Sequence, residues 1–141
     1  YIHKDFLSGH INALRNSAER DPFKIVYSTM VVSSQKEFEE ARAALSFRLV
    51  DSPQEVKEHI GLTEEINTEI KQALSEGGPS NAAKHVPSEW VEQFVIAGSS
   101  SEASNELRNL INENGIDEFQ LPIGSPEEAE KVILRTSKMF K

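Results

Sequence analysis

The chain has 141 residues, no cysteine and a net charge of −8, with 23 acidic against 15 basic residues. That length is about one domain's worth, and the acidic surplus repels a phosphate backbone or an anionic membrane surface, so neither nucleic acid nor membrane is an expected partner. The missing cysteines exclude disulfides, thiolate metal sites and thiol nucleophiles, no apolar run approaches the roughly 18 residues of a membrane span, and a cytoplasmic protein is the expectation.

Residue 1 is Tyr rather than Met, which agrees with a chain that starts inside a domain. From 5 to 20 the apolar residues Leu7, Ile11, Leu14 and Ala18 recur at helical spacing, and Asp21-Pro22 ends the pattern. The run 24–33 is β-branched and apolar on both alternating sets, so it predicts a strand covered on both faces. Ser34 and Glu37 then make an S-x-x-E capping box that opens a helix to about Leu49, with Phe38, Ala41 and Leu45 buried.

Ser52-Pro53 opens a short helix with Pro53 at its first position, and Gly61 stops it. Thr63 caps the next, which buries Ile66, Ile70, Ala73 and Leu74 and ends at Glu76-Gly77-Gly78-Pro79. Residues 80–86 read as a loop, followed by a brief helix with Trp90, Val91, Phe94 and Val95. Ser99 to Glu102 caps a further helix with Ala103, Leu107, Leu110 and Ile111 buried, and Gly115 suits a left-handed terminus. A second strand is predicted over 117–123, and Gly124-Ser125-Pro126 opens the last helix with Val132, Ile133, Thr136 and Phe140.

Two strands alone make no stable sheet, and helix-strand-helix order on both predicts a parallel pair with open edges. The expected fold is therefore α/β, a carboxyl-terminal piece of a (β/α)8 barrel with two parallel strands and six or seven helices. The 141 residues are then one segment, with strand seven at about 24–33, an inserted helical region at about 51–98 and strand eight at about 117–123.

Particular residues carry a family resemblance. His59-Ile60-Gly61-Leu62 before a helix to Ala73-Leu74, the stretch Trp90-Val91-Glu92-Gln93-Phe94-Val95-Ile96-Ala97-Gly98 before a capped helix, Asn114-Gly115-Ile116, and Pro122-Ile123-Gly124 succeed one another in order. Arg20-Asp21-Pro22 precedes the first strand, and Glu39-Glu40-Ala41 lies in the helix after it. Together these resemble the carboxyl-terminal part of the methylenetetrahydromethanopterin reductase family, within the bacterial-luciferase-like superfamily.

The resemblance implies a TIM barrel that binds coenzyme F420, or alternatively FMN, at the carboxyl ends of its strands and transfers hydride to or from a small-molecule substrate. The family's acidic active-site groups lie in earlier strands, so the resemblance assigns no catalytic residue to this chain. It leaves the loops at 1–4, at 33–35 and at 122–125, the working face of a barrel. The candidate coenzyme-binding residues are Ser33, Ser34, Pro122, Ile123, Gly124 and Ser125, where backbone N–H groups at helix starts suit a phosphate or carboxylate. On the plainer reading Ser34 and Ser125 only cap their helices. Gly98 and Ser99 are weaker candidates, at a turn after the insertion.

Gln120 is a polar strand residue between Phe119 and Leu121, facing either the barrel interior or solvent. Tyr27, Ser28 and Thr29 line a cavity only on whichever set turns inward. His3, His10, His59 and His85 show no ligand spacing, so no metal site is expected; His3 and Lys4 stand either at the mouth of the site or as exposed terminal residues. No nucleophile elbow, Walker loop or dinucleotide fingerprint occurs. The expected partners are the coenzyme, a small-molecule substrate, and either a second copy or an amino-terminal part of the polypeptide that pairs with the open strands. The alternative function is a non-catalytic, self-associating module that pairs through those edges.

Overall fold

The computed structural model describes residues 2–19 and 23–139, which hold seven helices and four short strands. In chain order these are α1 (Lys4–Ser17), β1 (Val26–Tyr27), β2 (Val31–Val32), α2 (Gln35–Val50), α3 (Gln54–Ile60) and α4 (Glu64–Ala82). A 3₁₀ turn at Ala83–His85 leads to α5 (Ser88–Phe94), β3 (Ile96–Ala97), α6 (Ser100–Asn114), β4 (Glu118–Phe119) and α7 (Pro126–Met139). No helix among the described residues is long and apolar enough to cross a membrane. The expected features at Asp21-Pro22 and Phe140 lie outside the described residues.

The chain divides into two compact units. One runs from Ser34 to Val95; the other joins Ile2–Ser33 to the chain from Ile96 onward.

In the helical unit α2 packs against α4 and α5. Ala41, Leu45, Leu49, Ile70, Ala73, Val91 and Phe94 are buried at the spacings expected of one-sided helices. Local chemistry sets the helix ends. Ser34 accepts from the Glu37 N–H at 3.3 Å, Thr63 accepts from the Ile66 N–H at 3.3 Å, and Gly61 ends α3 at φ 74°. Pro53 stands at the N-cap, one position before the expected one. Residues 80–85 of the expected loop at 80–86 are helical instead. Gly78 breaks α4 at φ 70° and ψ −168°, a conformation that only glycine adopts readily, and Pro79 begins a new turn that needs no N–H from it. The buried Ser46 hydroxyl donates to the Ala43 carbonyl at 2.7 Å, with the Pro79 carbonyl 3.5 Å away.

In the second unit the expected strand at 24–33 is two strands, because its pairing partner changes halfway. The Ile25 carbonyl accepts from the N–H groups of Asp117 and Glu118, and that of Tyr27 from Gln120, which makes β1 and β4 a parallel pair with Tyr27 opposite Phe119. Further along, the Met30 and Val32 carbonyls accept from Ile96 and Gly98, which makes β2 and β3 a second parallel pair. The apolar clusters that hold Tyr27 and Val31 share Leu110, Ile111 and Phe119, so the odd-numbered side chains turn to one face throughout. Odd and even carbonyls then point to opposite edges, and β3 and β4 flank the 24–33 segment on either side. At two residues, β3 is too short for the sequence to predict.

The expected strand at 117–123 pairs only at 118–119. Pro122 has no N–H to give, and the Ile123 N–H turns back to the Leu121 carbonyl at 3.0 Å, a tight turn that ends the ladder. In α1, Leu7 and Ile11 are buried while Leu14 is 55% exposed, so the buried stripe is narrower than its spacing suggests. Arg15 extends from α1 to donate to the Asn114 and Gly115 carbonyls at 3.1 and 2.8 Å, closing the carboxyl end of α6.

The candidate site at the carboxyl ends of the strands

Alternation along 24–33 sorts its side chains between two different environments. Ile25, Tyr27, Thr29 and Val31 are all buried, and the apolar ones pack with Leu7, Ile11 and Ile116 or with Ala103 and Leu107. The other set is open around β1, where Val26 is 52% exposed and Lys24 and Ser28 are also exposed. Among the described residues one face of β1 and β4 has no cover, whereas Val32, further along the same set, is buried.

Register then places the residues of β4 on these two faces. Because Val26 stands opposite Glu118, the even-numbered residues of both strands share the uncovered face. The ion pair between Lys24 and Glu118 agrees with this, since the two side chains meet across the strands. One rung later, at the carboxyl end, Ser28 and Gln120 are both exposed on that face. From the amino to the carboxyl end it thus presents an ion pair, an apolar valine, and a hydroxyl beside a carboxamide. Glu118 holds the Lys24 ammonium above its ordinary value, first by the hydrogen bond and then by its charge.

Tyr27 and Thr29, candidates in the sequence for lining a cavity, point to the helical side. Burial pushes the Tyr27 phenol up, Thr29 beside it acts in the opposite sense, and the charge of Glu106 adds to the rise.

Of the expected coenzyme-binding residues, Ser33 and Ser34 come just after β2 and are both exposed. The Ser33 hydroxyl accepts from Arg135 Nη1 at 3.3 Å, and Arg135 Nη2 donates to the Val31 carbonyl at 3.0 Å. The Ser34 hydroxyl is the N-cap of α2. At the other turn Pro122 is half-buried, while Ile123 and Gly124 are exposed. The Ser125 carbonyl accepts from the Glu128 N–H at 3.2 Å. Glu127 is held below the usual carboxylate range by its own backbone amide and then by the Ser125 hydroxyl. Both turns thus sit at carboxyl ends of parallel strands, and Arg135 of α7 ties the first to the helix that the second opens.

Gly98 and Ser99 open α6 after β3. The Ser99 hydroxyl accepts from the Glu102 N–H at 3.3 Å, and the Ser99 N–H donates to the Glu102 carboxylate at 2.9 Å, a complete capping box. His3 is 2% exposed and caps α1, with Nδ1 accepting from the Asp5 N–H at 3.2 Å, which corrects the reading of it as an exposed terminal residue. Lys4 pairs with Glu106 of α6. Sequence reasoning missed Arg135, for which the chain offers no local signal, and the Lys24–Glu118 pair, whose only signal is opposite charge at the start of each strand.

The chain matches no family model, no curated protein and no solved structure.

Proposed function

We propose that this chain is the carboxyl-terminal part of an oxidoreductase of the methylenetetrahydromethanopterin reductase type, a TIM-barrel enzyme that transfers hydride with coenzyme F420 or, alternatively, FMN. The observation that carries the reading is the parallel pairing of β1 with β4, with helices filling one face and the other left uncovered. A barrel strand needs helices outside and other strands' side chains inside. On this reading Val26 and the Lys24–Glu118 pair belong to the interior, with Ser28 and Gln120 at its top.

The residues present fit a planar coenzyme in their chemistry. Ser28 and Gln120 offer hydroxyl and carboxamide groups that both donate and accept, and Ile123, 40% exposed in the turn beyond β4, offers an apolar surface. The side chains of Ser33, Ser34 and Ser125 already serve Arg135, the start of α2 and the Glu127 carboxylate, so on this reading the coenzyme is recognised chiefly through Ser28, Gln120 and Ile123. The coenzyme, when bound, supplies the hydride acceptor or donor; the protein orients it and excludes water.

A second reading rests on β3. In a barrel, consecutive strands are sheet neighbours, whereas β3 and β4 lie on opposite edges of the 24–33 segment. That order favours an open sheet, and with it a non-catalytic module that pairs through its outer strand edges with a second copy.

The test is to express the complete uninterrupted reading frame that contains this chain and to assay it with reduced and oxidised F420 and FMN. The oxidoreductase reading predicts six preceding βα units and substrate-dependent turnover of one coenzyme. A frame without them, whose product turns over neither, overturns it. Concentration-dependent dimerisation of that product supports the second reading.

A further inference from the structure

We draw no further inference here: the strongest candidate, the uncovered strand face carrying Val26, Ser28 and Gln120, belongs to the site already described, and nothing in the structure shows what covers it.

Discussion

Arg135 donates to the Val31 carbonyl at 3.0 Å, so a side chain of the last helix takes a hydrogen bond that a neighbouring strand would otherwise supply. Ile25 and Tyr27, of the same parity, give their carbonyls to β4, and β4 ends before it reaches Val31. The guanidinium thus continues the edge that the turn at Pro122 cuts short. It also fixes α7 to the carboxyl end of β2, through the Ser33 hydroxyl.

Arg135→Leu is therefore expected to destabilise the protein by about 1–3 kcal/mol, the cost of leaving a partly buried carbonyl without its donor. Urea unfolding monitored by circular dichroism measures it. Arg135→Lys should retain part of the loss, since a single ammonium nitrogen does not reproduce the planar fork in which Nη1 and Nη2 each serve a different acceptor.

Leu45→Ala removes a side chain that is 0% exposed in the helical unit and should cost about 2–5 kcal/mol. Phe47, in the same helix, is 56% exposed, and Phe47→Ala should stay within about 0.5 kcal/mol. Thermal melts of the two variants side by side give the contrast. Equal losses would mean that the exposed face of α2 is covered in solution.

Gly115 ends α6 at φ 58°, and a Cβ there would come within 2.6 Å of Arg15 Nη2. Gly115→Ala should cost about 1–2 kcal/mol for the left-handed conformation alone, with a further loss from displaced Arg15. A double-mutant cycle with Arg15→Ala separates the two: the Gly115→Ala cost should be smaller where Arg15 is already gone.

The Ser99 hydroxyl and then its backbone N–H hold Glu102 below the usual carboxylate range. A depressed folded-state value means that the carboxylate contributes stability above its unfolded value and loses it as pH falls through the folded one. Ser99→Ala should destabilise at neutral pH, and the gap from the parent chain should narrow below the ordinary glutamate range. Unfolding midpoints of both proteins across that range check the sign.

The helices are legible in the sequence because their ends are local. Ser34, Thr63, Ser99, Gly61 and Gly115 act on amides and carbonyls a few residues away, and the structure places each at its helix terminus. Gly78 and Pro79 signal a break, but not one that restarts a helical turn, since the geometry after a proline depends on the packing of the residues beyond it. Strands depend on partners far along the chain. Nothing within 24–33 says that its carbonyls turn from β4 to β3, and the two residues of β3 carry no periodicity.

Element order does imply the parallel sense of β1 and β4, and the structure shows it. Of the candidate site, capping by Ser34 is legible from its spacing to Glu37, and the position of Gln120 only as a choice between two faces. Register sets Tyr27 against Phe119 and so puts Gln120 on the exposed face that it shares with Val26 and Glu118. Burial of His3 is hidden, because a residue near the start of a sequence carries no sign of what packs over it.

The most direct measurement is a fluorescence titration of F420 and FMN into the product of the complete reading frame, with Gln120→Ala alongside. If the uncovered face is the top of a coenzyme pocket, one coenzyme binds and Gln120→Ala weakens it about tenfold, the worth of one lost hydrogen bond. Binding of neither coenzyme, or binding unchanged by Gln120→Ala, would contradict that assignment of the face.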